Sequence, residues 1–210
     1  VLRGGRGKAG LIRFAENEKD AEAIAEELYN SEHNVNNILL EKAVNIESEI
    51  YLSVTLDPAA ATAVIIACSE GGVEIETLAI ESPEKIIREP VSLDRGLFPF
   101  QAKDISYRLG LEGTAAKLVS RVIMQLYSVF IDYHAELAEI NPLFITKEQD
   151  VVAGDGKLVI DDAMLDAHPE YERGREHFES DAEFEAALDG IPYLHFVGNI
   201  SLMCAGAGLT

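Results

Sequence analysis

The chain contains no tryptophan and only two cysteines in 210 residues, and it is poor in base, with 17 Lys and Arg against 37 Asp and Glu. Each shortage excludes something. A net charge of −20 gives no basis for gripping a nucleic-acid backbone, which is held by Lys and Arg that displace its counterions. An anionic membrane surface is excluded on the same ground. What the charge provides is solubility, in a salty cytoplasm as elsewhere, so a basic pocket for an anionic substrate has to be local. Cys68 and Cys204 sit in apolar runs without metal or redox spacing. They read as buried free thiols in a reducing, cytoplasmic compartment. No signal-peptide pattern is visible. The apolar stretch from Ile191 to Leu209 is interrupted by Pro192, His195, Asn199 and several glycines, unlike a membrane-spanning helix. His33, His134, His168, His177 and His195 stand apart, without ligand spacing and without a nucleophile beside them.

What is present is a core. Apolar residues make up 48% of the chain, and the length suits one domain or one domain with part of a second. Gly4-Gly5-Arg6-Gly7-Lys8-Ala9-Gly10 is a glycine-rich loop, and Leu11 to Phe14 reads as a short strand after it. From Asn17 to Asn30 the apolar residues Ala21, Ile24, Ala25 and Leu28 recur at helical spacing. Strands are expected at Ile38 to Glu41, Glu49 to Leu56 and Ala63 to Cys68, the last ended by Ser69-Glu70-Gly71-Gly72. Helices are expected over Pro99 to Leu109 and Thr114 to Asp132. A hairpin follows, with strands Ala135 to Thr146 and Val151 to Ile160 about a turn at Lys147 to Asp150. The acidic stretch from Asp161 to Asp189 reads as solvated helix, and Tyr193 to Ile200 as a new buried strand. This mixture of helices and strands predicts an α+β or α/β fold, with a boundary near residue 185. The glycine-rich stretches at the two ends read as turns cut from their neighbours, so a fragment of a longer chain is expected.

Three groups of residues carry chemistry. In Gly5-Arg6-Gly7-Lys8 the glycines let the backbone approach an anion closely, and Arg6 and Lys8 add charge, although a plain turn fits as well. Asn141 and Asp155 are equidistant from position 148, inside the expected turn, which sets them opposite each other on paired strands. Two such oxygens suit Mg²⁺, which takes one or two protein ligands and completes its octahedron with phosphates and water. By spacing alone, two polar residues paired across a hairpin are the commoner arrangement. Pro142 has no N–H for a ladder, so the strand is expected to be distorted there. Glu41 and Glu49 sit at strand edges, placed to accept bonds from an adenine amino group or ribose hydroxyls, or simply solvated.

Taken in order, these segments resemble the succinyl-CoA synthetase β-subunit family. The resemblance runs through Gly5-Arg6-Gly7-Lys8-Ala9-Gly10, Ile38-Leu39-Leu40-Glu41, Glu49-Ile50-Tyr51-Leu52 and Cys68-Ser69-Glu70-Gly71-Gly72. It continues through Glu139-Ile140-Asn141-Pro142-Leu143, Asp155-Gly156-Lys157 and Gly198-Asn199-Ile200. Each motif is weak alone; the ordered series is specific and covers nearly the whole chain. The resemblance implies an ATP-grasp fold over residues 1–185, lacking its first strands. Residues 186–210 would begin a flavodoxin-like α/β CoA-ligase domain. It implies that Gly5, Arg6 and Gly7 touch nucleotide phosphates, that Glu41, Val44 and Glu49 border the base and ribose, and that Asn141 and Asp155 bind Mg²⁺. Glu139 would face the phosphohistidine loop of a partner α-subunit. The implied reaction joins a carboxylic acid to CoA at the expense of ATP or GTP, through a phosphohistidine on that α-subunit.

Two departures concern the acid. The family's substrate-contacting Asn falls on Ala205, which replaces an amide by a methyl group, and an Asp usual in the family falls on Val197. An acid other than succinate, such as malate or citrate, or a diverged non-catalytic paralogue are the alternatives these positions raise.

Overall fold

The structure is a computed structural model that describes residues 9–33, 35, 37–72, 75–161, 164, 171, 174–178, 180–191, 193–195 and 198–203. By Cα proximity the chain divides into two compact units, Val1–Val159 and Ile160–Thr210. The domain boundary expected after residue 185 is a different quantity and falls within a helix of the second unit, α5 (Asp181–Leu188).

The first unit begins with α1 (Glu18–Tyr29), which starts where Asn17 caps it: the Asn17 side chain accepts from the Asp20 backbone N–H at 3.1 Å. A sheet follows, built from β1 (Ile46–Asp57), β2 (Thr62–Cys68), β3 (Ile87–Val91), β4 (Ala135–Thr146), β5 (Val151–Ala153) and β6 (Gly156–Ile160). Its order is β3-β2-β1-β4-β5, with β6 also pairing β4. The pairings of β1 with β2 and β4, of β2 with β3 and of β4 with β5 are all antiparallel. Between strands lie α2 (Ile75–Glu81), α3 (Pro99–Arg108) and α4 (Gly113–Asp132).

The two faces of the sheet differ because side chains alternate along each strand. Ile50, Leu52 and Val54 of β1, with Ala63, Ile65 and Ala67 of β2, point to one face and form the main core with Ala102, Ile105, Val119, Ile123 and Phe130 of α3 and α4. Each fully buried Ile, Leu or Val there contributes about 1.5–3 kcal/mol of transfer free energy. The length and apolar composition of α4 would also suit a membrane span, but its apolar stripe lies in this core. On the opposite face Tyr51 and Cys68 form a smaller cluster with Leu78 of α2, packed against Ile66, Ile75 and Ile86.

Several expectations need correction. Leu11 to Phe14 and Ile38 to Glu41 form no strands. Both lie outside regular secondary structure and are largely exposed, with Phe14 at 81% and Leu39 at 79%, and among the described residues neither has a ladder partner. The return strand of the hairpin is two short strands, parted at Gly154-Asp155. The described residues of the stretch Tyr193 to Ile200 form no strand and are exposed. Of the expected start of a flavodoxin-like domain over 186–210, positions 192, 196, 197 and 204–210, Val197 and Ala205 among them, lie outside the described residues. The acidic stretch carries a 3₁₀ turn at Arg175–His177 and α5, with most of 162–173 outside the described residues. Two elements, α2 and β3, were not expected. β3 carries Pro90 and lies at the sheet edge, where a missing N–H costs no ladder bond.

Candidate functional site

The site face is the one that α3 and α4 leave uncovered. Glu49, Tyr51 and Ser53 alternate onto it from β1. Glu139 joins them from β4, directly opposite Ser53 in the register. Between Ile50 and Leu52 the register slips, because Ile50 pairs with Leu143 and Leu52 with Ile140. Asn141 and Pro142 therefore share the place opposite Tyr51. The distortion expected at Pro142 is this bulge, and the Asn141–Pro142 peptide bond is cis.

Asn141 lies in the bulge. Its amide oxygen accepts from the Gly72 backbone N–H at 2.8 Å. Across the hairpin the register Leu143↔Ala153, Phe144↔Val152 and Ile145↔Val151 continues to set Asn141 opposite Asp155. The Asn141 N–H donates to the Asp155 carbonyl at 3.3 Å. The juxtaposition read from the midpoint at residue 148 is thus present. The Asp155 side chain accepts from the Gly156 N–H at 2.9 Å, in the gap between β5 and β6.

The loop after β2 closes over this cluster. The Gly71 N–H donates to the Glu49 carbonyl at 3.0 Å. A Cβ at Gly72 would lie 2.7 Å from Glu49 Oε2, which places that carboxylate against the loop. Beside the loop, Lys85 donates to Glu70 at 2.6 Å. That hydrogen bond, and then the Glu70 charge, raise the Lys85 pKa above its ordinary value. The Tyr51 hydroxyl donates to Glu139 Oε2 at 2.7 Å. Glu49 and Glu139 thus share one face of the sheet, the Gly72 loop joins Asn141 to Glu49, and the Asp155 backbone pairs with Asn141.

The other expected residues lie elsewhere. Glu41 and Val44 are on the irregular segment leading into β1, where Glu41 lines an open hollow of about 410 Å³ with Glu16, Asn17, Ala21 and Leu40. Gly5, Arg6, Gly7 and Ala205 lie outside the described residues. The supports that the sequence reading passed over are Tyr51 and the Gly71-Gly72 pair. Strand alternation places Tyr51 on the face of Glu49, and two adjacent glycines after a strand are a signal of close approach.

Asn141 and Asp155 suit a hard cation such as Mg²⁺. Both offer oxygen, the ligand atom that a hard cation takes. Among the described residues no group of three or more His, Cys, Asp or Glu is placed to hold a metal unaided. A cation held by this pair would take its remaining ligands from phosphates and water.

An antiparallel sheet with α3 and α4 on one face, and α2 beside a carboxylate–amide cluster on the other, is an α+β architecture. The chain belongs to the ATP-grasp domain family, whose model matches residues 1–145. Among curated proteins it is 52% identical over its full length to a subunit of ADP-forming sulfoacetate-CoA ligase from Bilophila wadsworthia, covering 56% of that protein. A second sulfoacetate-CoA ligase subunit, from Acholeplasma, is 47% identical, again along the whole chain and over 52% of its own length. The β-subunit of ADP-forming succinate–CoA ligase from Ignicoccus hospitalis is 41% identical, with 98% of this chain and 55% of that protein aligned. The chain thus spans about half the length of the curated relatives it matches. Among solved structures, ATP citrate lyase from Methanothrix soehngenii shares the fold, with a TM-score of 0.61 at 21% identity over 87% of this chain and 44% of that one.

Proposed function

We propose that this chain is the nucleotide-handling part of the β-type subunit of an ADP- or GDP-forming acyl-CoA ligase that works with an α-type partner subunit in the cytoplasm. The observation that carries this reading is the Asn141–Asp155 pair, held by the hairpin register and by the Gly72 N–H on the side of the sheet away from α3 and α4. Asn141 and Asp155 hold Mg²⁺, which neutralises charge on the nucleotide phosphates. Gly5, Arg6 and Gly7 cradle those phosphates, while Glu41, Val44 and Glu49 border the base and ribose. The γ-phosphoryl group of ATP or GTP passes to a histidine of the partner, and the nucleoside diphosphate leaves. The phosphoryl group then passes to the carboxylic acid, and CoA displaces phosphate to give the acyl-CoA. Such transfers depend on positioning and charge neutralisation, so no histidine of this chain is needed at the nucleotide. Glu139 faces the partner's phosphohistidine loop.

For the acid, two relatives are named for sulfoacetate, and this chain carries Ala205 where the succinate family carries Asn. We therefore rank sulfoacetate ahead of succinate, malate and citrate. The test uses the full-length subunit with its partner, ATP, Mg²⁺ and CoA, offered each acid in turn. Acyl-CoA from sulfoacetate supports the ranking, and turnover of succinate alone restores the succinate reading. ATP bound with no acyl-CoA from any acid supports a non-catalytic paralogue. In the active enzyme Asn141→Ala or Asp155→Ala is expected to abolish phosphorylation with the fold intact. Undiminished phosphorylation in either variant removes that residue from the Mg²⁺ site.

A further inference from the structure

Glu139 is flanked by two hydroxyl groups, and they behave differently. Ser53 is its register partner across the strands, yet the Ser53 hydroxyl is fully buried and makes no hydrogen bond. Tyr51 is its diagonal neighbour, a separation that long side chains bridge. Its hydroxyl donates to Glu139 Oε2 at 2.7 Å, an ordinary O–H···O hydrogen-bond length.

The Tyr51 ring is itself held. It is 3% exposed and packs with Cys68 and with Leu78 of α2. A ring needed only for packing would be served by Phe, which carries no hydroxyl to satisfy. The side of the sheet that holds Tyr51 is also the side where the loop before α2 donates from Gly72 to Asn141. One layer, α2 and its leading loop, thus supports both the proposed Mg²⁺ ligand and the Glu139 carboxylate.

We propose that Tyr51 is a positioning residue: it occupies one oxygen of Glu139 and fixes the carboxylate so that Oε1 is presented to the phosphoryl-accepting group of the partner subunit. This rests on the ligase reading above, in which Glu139 meets that partner. The chemical step remains a transfer from nucleotide to imidazole, and Tyr51 neither gives nor takes a proton in it.

The test measures phosphorylation of the complete two-subunit enzyme from ATP and Mg²⁺, with Tyr51→Phe and Leu78→Ala compared with wild type. Tyr51→Phe keeps the buried ring and removes only the hydroxyl. It is expected to lower the rate at saturating ATP about tenfold, as misplacement of a reacting group does, with KM for ATP and Tm unchanged. Leu78→Ala loosens the packing that holds the ring and is expected to lower both Tm and the rate. A Tyr51→Phe enzyme with the wild-type rate overturns the proposal. So does a loss that appears in KM, or one accompanied by a fall in the Tm of Tyr51→Phe. A wild-type enzyme that takes no phosphoryl group overturns the ligase reading itself, and the role given to Glu139 with it.

Discussion

Gly71 and Gly72 crowd the same side chain, Glu49, in different ways, and substitution separates them. Gly72 has φ +72°, and its Cβ would meet the carboxylate end of Glu49. That end can swing away, so Gly72→Ala is expected to cost about 1–2 kcal/mol, mostly for the left-handed backbone. A Cβ at Gly71 would instead lie 2.8 Å from Ile50 N and 2.9 Å from the Glu49 carbonyl carbon, which are strand backbone. Gly71→Ala therefore requires the loop to lift from β1 and is expected to cost more, about 2–3 kcal/mol. Adding Glu49→Ala should recover part of the Gly72→Ala loss and none of the Gly71→Ala loss. Urea denaturation of the four variants checks this, and equal recovery in both backgrounds would contradict it. Little of this pairing was legible in the sequence. The glycines mark a break, but their neighbour is set by the approach of the loop to a strand 22 positions earlier, counting from Gly71 to Glu49.

At the scale of elements, legibility followed periodicity. The helix expected over Thr114 to Asp132 is α4, because its apolar stripe of Ala115, Ala116, Val119, Ile123, Leu126 and Phe130 has one face to bury and a sheet to bury it on. Ile123 is fully buried there, so Ile123→Ala is expected to destabilise the protein by about 2–5 kcal/mol through lost transfer energy and a residual cavity. The denaturation midpoint should fall with the slope unchanged, and a change below about 0.5 kcal/mol would place Ile123 outside the core. The strand Ala135 to Thr146 was readable to its ends, and the Asn141–Asp155 pairing followed from hairpin symmetry alone. Leu11 to Phe14, Ile38 to Glu41 and Tyr193 to Ile200 misled for one reason. An apolar run states that burial is favourable and does not supply a partner strand. The opposite error, missing α2 and β3, arose because seven and five residues are too few to display a period, and Pro90 argued against a strand.

At the scale of the whole molecule the charge dominates. With −20 on the chain, like charges repel in the folded state more than in the expanded one. The described ion pairs Arg13–Glu27, Lys85–Glu70, Arg108–Glu89, Arg108–Asp104 and Arg175–Asp181 are all at least partly exposed, and such pairs contribute about 0–1 kcal/mol each. Screening should therefore remove more repulsion than attraction. Raising NaCl from about 0.01 M to about 1 M shortens the Debye length from about 30 Å to about 3 Å. The full-length protein's Tm is expected to rise by several degrees on that change, and a fall would mean that the ion pairs outweigh the net charge. The same charge explains why the proposed phosphate contacts depend on local groups such as Arg6 and on a bound cation.

The sequence by itself determined the long periodic elements, the hairpin register and, through an ordered series of motifs, the ATP-grasp family. These are properties of spacing, and spacing is written along the chain. The tertiary structure alone decided that Tyr51 reaches Glu139, that Gly72 reaches Asn141 and that Glu49 lies under the glycine loop. Each joins residues 23 to 88 positions apart, from Gly72–Glu49 to Tyr51–Glu139. No local rule links such positions, because their contact exists only once the sheet order brings β1 between β2 and β4.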